Sequence, residues 1–156
     1  MAYLNQLSCV VVLLLVACSA ELARAAEPPS ALCSLLPSAT VSKILGYAYG
    51  SPAESVAPRP FRNANEGTDC KYGSGLRLLL FRAYVDPSPS ASADLFAKLK
   101  SYLGDGSTNV SGVGDEAYLD KDRGLHVRKG KVRYFLDGAG TPKQKNELAV
   151  AIAGQL

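Results

Sequence analysis

The chain has 156 residues, 47% of them apolar and 20% charged, with 17 Lys and Arg set against 14 Asp and Glu. That balance excludes a disordered or fibrous chain and suits one domain. With no Trp, one His and four Cys, a His-rich metal site is excluded and any His-dependent catalysis hangs on His126.

Residues 7–17 (Leu-Ser-Cys-Val-Val-Val-Leu-Leu-Leu-Val-Ala) carry no charge, Pro or Gly. The run is shorter than the roughly 20 residues a bilayer span takes, and it has the length of a signal-peptide core. Two processing sites follow. Ala23-Arg24-Ala25 places small residues where a general signal peptidase reads, which predicts a signal over 1–25 and a single domain over 26–156. Leu15-Val16-Ala17-Cys18 resembles a lipobox, the alternative being a lipoprotein signal over 1–17 with Cys18 acylated. The six residues before the apolar run hold no Lys or Arg, a departure from both patterns. Cleavage after Ala25 leaves 16 basic and 13 acidic residues, still +3. So mild a charge does not point to nucleic acid. No transmembrane helix is expected after the signal.

Cys9 and Cys18 lie in or beside the signal, so the exported domain keeps Cys33 and Cys70. Two thiols in an oxidising compartment predict one disulfide. Neither has a Cys-x-x-Cys partner or a nearby His, which argues against metal, and neither has a base beside it.

Along the domain, Val41, Ile44 and Leu45 recur at helical spacing after Ser38, a candidate N-cap, and Gly46 suits a left-handed C-cap. Residues 47–69, rich in Pro, Gly and Asn, read as a long loop with a short extended piece around Val56. Strands are expected at 69–72 and 76–85, joined by Gly73-Ser74-Gly75. The second has Leu76, Leu78 and Leu80 on one face and Leu79, Phe81 and Ala83 on the other, the pattern of a strand covered on both sides. Asp86-Pro87-Ser88-Pro89 ends it. A helix capped by Ser90 or Ser92 then runs to Leu103, with Leu95, Leu99, Tyr102 and Leu103 as its buried stripe and Gly104 as its stop. Residues 110–119 read as a turn feeding a strand. Over 125–136, a hairpin turning at Lys129-Gly130 sets Val127 opposite Val132, Leu125 opposite Tyr134, His126 opposite Arg133 and Arg128 opposite Lys131. Thr141, Pro142 and Gln144 form a capping-box start for a last helix whose inward face is Leu148, Ala151 and Ile152. The seven tyrosines after residue 46 are expected at core edges with their hydroxyls at the surface.

Gly112-Val113-Gly114-Asp115-Glu116-Ala117 matches a dinucleotide fingerprint on paper, but a strand rather than a phosphate-binding helix is expected after it, so it reads as a tight turn. Asp120-Lys121-Asp122-Arg123-Gly124 resembles a piece of a calcium loop that lacks two acidic ligands; a polar turn with Gly124 at positive φ accounts for it. No metal or cofactor is expected. The basic residues between 121 and 133 are more suggestive. His126, Arg128, Lys131 and Arg133 are the candidate anion-binding face, for a lipid headgroup or an acidic envelope polymer. No Gly-x-Ser-x-Gly elbow seats a serine for His126, and no nucleophile–base pair can be placed.

Cys33-x-Leu35-Leu36, Cys70-x-Tyr72, Gly112-x-Gly114-Asp115-x-Ala117 and the Gly130 hairpin resemble a bacterial family of small secreted proteins and lipoproteins, a domain of unknown function frequent in actinobacteria. The resemblance implies an exported α+β domain with its two cysteines paired, and it carries no activity or cofactor. The expectation is a curved antiparallel sheet with three helices mainly on one face. It would be a monomeric, non-enzymatic protein of the periplasm or cell exterior, or lipid-anchored to the envelope, that binds an apolar or anionic partner. The alternatives are an accessory subunit for another envelope protein, docking through 47–69, and a small exported hydrolase.

Overall fold

A computed structural model describes residues 32–103 and 106–156. The predicted signal, its two processing sites and Cys18 lie outside these residues, as does Gly104. Over the described residues the fold is α+β, one open seven-stranded antiparallel sheet with three helices. In chain order the strands are β1 (Ala53–Ala57), β2 (Gly67–Tyr72), β3 (Leu79–Val85), β4 (Thr108–Asn109), β5 (Glu116–Leu119), β6 (Leu125–Lys129) and β7 (Val132–Gly138), and the helices are α1 (Ser38–Leu45), α2 (Pro89–Leu103) and α3 (Pro142–Ala153). The spatial order is β1-β2-β3-β7-β6-β5-β4. Two meanders, each made of sequence neighbours, therefore meet at the β3–β7 ladder.

The face a strand residue takes follows from its parity. Leu79, Phe81 and Ala83 of β3 lie level with Gly138, Leu136 and Tyr134 of β7. With Val127, and with Leu148 and Ile152 of α3, they form the main core. α1 and α3 cover this face. The Tyr134 hydroxyl donates to the Ala149 carbonyl at 2.8 Å, and Gln144 Nε2 of α3 donates to the Ile44 carbonyl of α1 at 3.0 Å. The opposite parity carries Arg82, Tyr84, Tyr118, His126, Arg133 and Phe135. α2 packs there, with Phe96 against Tyr118 at 5.2 Å between ring centres. Two of the three helices thus share one face and the third covers the other. A strand apolar on both sides, as β3 is, needs that cover.

Cys33 and Cys70 are bonded (S–S 1.98 Å), tying a short 3-10 turn, Cys33–Leu35, to β2. The Tyr72 hydroxyl reinforces the tie by donating to the carbonyls of Leu36 and Cys33. Tyr84 likewise donates to the Pro58 carbonyl at 2.9 Å and Tyr49 to the Arg77 carbonyl at 3.0 Å. Tyr47 and Tyr102 are exposed as expected, but the hydroxyls of Tyr49, Tyr72, Tyr84 and Tyr134 staple loops and helices to the sheet, because a phenol at the end of a buried ring can satisfy a carbonyl that has left the ladder.

Several expected details shift. Gly46 does cap α1 with a φ of +79°, but Ser38 is the first helical residue and Pro37 precedes it. α2 is capped by Ser88, whose Oγ accepts from the Ala91 N–H at 3.1 Å, two and four positions before the expected Ser90 and Ser92. The stripe α2 buries is Ser92, Leu95 and Phe96, while Tyr102 is exposed. Residues 76–78 do not join β3. Gly73 and Gly75 both take positive φ, and a 3-10 turn, Gly75–Arg77, holds Leu76 out in solvent. The 47–69 segment contributes β1 and is then pinned down, with Asn65 Nδ2 donating to the Val85 carbonyl at 2.8 Å and Phe61 set edge-on to Tyr102.

Candidate functional site

The β6–β7 hairpin organises the charged groups. Its turn is Gly130-Lys131, with Gly130 at a φ of +56°, so Lys129 pairs with Val132. Glycine at the first central position with only that φ positive fits a II′ turn, whereas a turn at Lys129-Gly130 places a lysine where glycine is wanted. The expected pairs correct accordingly: Val127 lies opposite Tyr134, Leu125 opposite Leu136, His126 opposite Phe135 and Arg128 opposite Arg133. The shift is even, so each residue keeps its predicted face.

His126, Arg128 and Arg133 do share that face, and each is engaged within the chain. Arg128 reaches Asp115 Oδ2 at 3.0 Å and Glu116 Oε1 at 2.8 Å. Asp115 also accepts the Gly130 N–H at 2.7 Å, and this bond, ahead of the Arg128 charge, holds its carboxyl below the usual range. Arg133 grips Asp86 with two hydrogen bonds of 2.6 and 3.0 Å, and its guanidinium lies 5.1 Å from the Tyr84 ring centre. Both members of this pair are buried, side-chain exposure being 3% for Arg133 and 0% for Asp86. Lys131 stands apart in the exposed turn. The four candidates therefore present one outward cation, Lys131, rather than a continuous cationic patch.

His126 is sandwiched. Its ring stacks on Tyr118 at 4.7 Å and meets Phe135 at 4.4 Å, while Nε2 lies 3.0 Å from Asp120 Oδ2. Asp120 Oδ1 accepts the N–H groups of Asp122 and Gly124, which folds 120–124 into a turn. Arg123, not Gly124, takes the positive φ there, at +67°. Gly124 is required for a different reason, since a Cβ would strike the Phe135 ring and Asp120 Oδ2. The oxygen that a calcium loop would offer to metal is spent on backbone and on His126, and among the described residues no group of three metal-binding side chains occurs. Gly114, at a φ of +60°, packs against Arg128 and is followed by β5, so the fingerprint is a turn into a strand.

Burial pushes the His126 imidazole below its ordinary pKa, with the hydrogen bond and charge of Asp120 opposing. The unfolded chain therefore holds the extra proton, so stability is full above about pH 6.5 and falls as pH drops through that value. Urea midpoints measured from about pH 7.5 to 5.5 should fall in the native protein, with a flatter slope in His126→Phe. An unchanged slope in the variant would assign the effect to other groups.

Lys145, outside the basic cluster of 121–133, is a further buried cation. Its ammonium donates to the Arg123 carbonyl at 2.9 Å and lies 3.8 Å from Asp137 Oδ1. Burial pushes its pKa down, against the pull of Asp137 and Asp120. A lysine at the inward position of a capped helix is the one sequence signal that pointed to it.

A cleft of about 260 Å³ opens between α2 and the β4–β5 edge, lined among others by Phe96, Lys100, Asn109, Glu116 and Tyr118. Small-molecule sites generally begin near 300 Å³. The Lys100 ammonium donates to Asn109 Oδ1 at 2.5 Å across its mouth. Among the described residues, the hydroxyls of Tyr118 and Ser92 are buried on this side of the sheet without a hydrogen-bond partner.

Chemically, the Asp120–His126 pair can hold a proton, the Arg–carboxylate pairs fix the sheet, and the cleft admits a few small groups. Among the described residues no helix is long and apolar enough to cross a membrane. No protein-family model matches the chain, and no curated protein matches it significantly.

Proposed function

We propose that this chain is an exported cell-envelope protein that binds an apolar or anionic envelope component rather than transforming one, and that it is either freely soluble or lipid-anchored through Cys18. The observation that carries export is the Cys33–Cys70 bond, which an oxidising compartment sustains, taken with the apolar run at 7–17. The resemblance to exported proteins of unknown function points the same way. Binding is favoured over turnover because the polar groups best suited to chemistry are committed to the fold. His126 is stacked between rings, and Arg133 and Arg128 are closed onto carboxylates.

Intact-mass spectrometry of the protein recovered from an expressing bacterium tests this reading. A mass lacking residues 1–25, or an acylated chain beginning at Cys18, is expected, two hydrogens lighter than the reduced form. An intact Met1 with free thiols would reject export. The Asp120–His126 pair favours hydrolysis as a second reading. An activity on ester or amide substrates that disappears in His126→Gln would replace binding with catalysis.

A further inference from the structure

The cleft between α2 and the β4–β5 edge carries an unbalanced charge. Lys100 and Glu116 are the ionised residues that line it. Glu116 is neutralised from one side, where Arg128 Nη2 and Nε both donate to its Oε1 at 2.8 and 3.1 Å. Asp115, which shares Arg128, is also met by Lys129 at 3.5 Å, so these two acids and two bases balance. Lys100 has no such counterion. Among the described residues its ammonium donates to the neutral Asn109 Oδ1 at 2.5 Å and meets no carboxylate. An ammonium has three N–H donors and this bond uses one, while the Asn109 amide keeps its own N–H donors beside it. The mouth therefore offers one positive charge and donors from two residues.

Behind the mouth the walls are apolar. Phe96 and Tyr118 are buried and meet at 5.2 Å between ring centres with their planes 57° apart, and Val110 adds an aliphatic wall. The Lys100 ammonium stands 5.6 Å from the Tyr118 ring centre, so charge and ring belong to one site. Tyr118 also differs from the tyrosines that staple the fold. Tyr49, Tyr72, Tyr84 and Tyr134 spend their hydroxyls on carbonyls, whereas the buried Tyr118 hydroxyl has no acceptor among the described residues. Interiors seldom leave a hydroxyl in that state. The volume of about 260 Å³ lies just below the range of drug-sized pockets, which leaves room for one ring or a short branched chain and not for a long acyl tail. An amine would face Lys100, and a phosphate dianion would find a single cation to meet two charges.

We propose that this cleft binds a small monocarboxylate with an apolar body, its carboxylate held by Lys100 and Asn109 and its body laid against Phe96 and Tyr118. The proposal rests on the binding reading above and names the ligand class. Fluorine NMR of 4-fluorobenzoate titrated with the recovered protein tests it. The fluorine line should broaden and shift to saturation. 4-Fluorobenzamide, which has the same shape without the charge, should bind at least about tenfold more weakly. Lys100→Gln should weaken 4-fluorobenzoate by about tenfold or more, Asn109→Ala several-fold, and Lys100→Arg by about threefold or less. Lys98→Gln, which removes a neighbouring α2 cation that stands over Phe61 instead, should leave binding unchanged. Lys100 is half-buried and Asn109 exposed, so these variants are expected to keep the native midpoint of thermal unfolding, measured on the same samples.

No saturable binding at millimolar 4-fluorobenzoate would overturn the site. Equal binding of the acid and the amide would too, since the charge would then play no part. Equal losses in Lys98→Gln and Lys100→Gln would assign the effect to general attraction and reject the cleft. Binding that survives Lys100→Gln would place the acid on another surface, which rejects the cleft and leaves the binding reading standing. Export is read separately by the intact mass, so its failure and the failure of the cleft are told apart.

Discussion

Replacing Asp86 with alanine is expected to lower the stability of the protein by about 3–5 kcal/mol, because it strands the Arg133 guanidinium in a site sealed from water. Both side chains are buried, and their two hydrogen bonds join the residue just past β3 to β7. Asp86 also donates its N–H to the Lys131 carbonyl at 2.8 Å, a bond the alanine variant keeps. The loss therefore isolates the carboxylate. Urea unfolding of Asp86→Ala, Arg133→Met and the double variant forms a cycle. The double variant should be more stable than Asp86→Ala alone, since removing both charges also removes the cost of burying one unpaired. Additive single losses would show that the two groups do not act as a pair.

The second large effect belongs to the disulfide. Removing it through Cys33→Ser with Cys70→Ser should cost about 4 kcal/mol by chain entropy, an upper guide for a closed loop of this size. The loop is long, with a sequence separation of 37, and it contains α1, β1 and the pinned segment that follows. The midpoint of thermal unfolding should fall by roughly 15 °C, and a reducing agent should produce the same fall in the native protein but none in the variant. A native protein indifferent to reductant would mean that the packing of Leu36 and Tyr72 alone holds the first turn to β2.

Much of this fold is legible in the sequence where local physics and tertiary contact agree. Thr141, Pro142 and Gln144 specify the start of α3, and the box forms with the Thr141 side chain accepting from Gln144 N–H. Gly46 ends α1, and the pairing of Cys33 with Cys70 follows from cysteine counting. The departures come where two local solutions compete. Residues 76–78 carry strand-like leucines, but two glycines at positive φ and the Tyr49 bond give the turn to solvent. Ser88, Ser90 and Ser92 all suit an N-cap, and the cap that forms is Ser88, which accepts the Ala91 N–H.

The charged site was half legible. Alternation places His126, Arg128 and Arg133 on one face, but their partners come from 40–50 residues away in the chain for Asp86 and from the neighbouring strand for Glu116. Such pairing has no local signature. A run of basic residues read alone therefore overstates the charge that reaches the surface, while Leu76, expected on a covered strand face, is fully exposed.

The order of the strands also bears on how the chain reaches this state. Every ladder but one joins sequence neighbours, and the exception is the seven-pair register between β3 and β7. The two meanders can each zip early with small loops to close, so the slow event is expected to be their docking along that seam. Substitutions at Phe81 or Leu136 should then retard refolding, while changes in β1 or β5 should chiefly hasten unfolding. Until the seam forms, each half exposes an unmatched strand, which makes the interval before docking the moment at which a newly made chain is most open to aggregation.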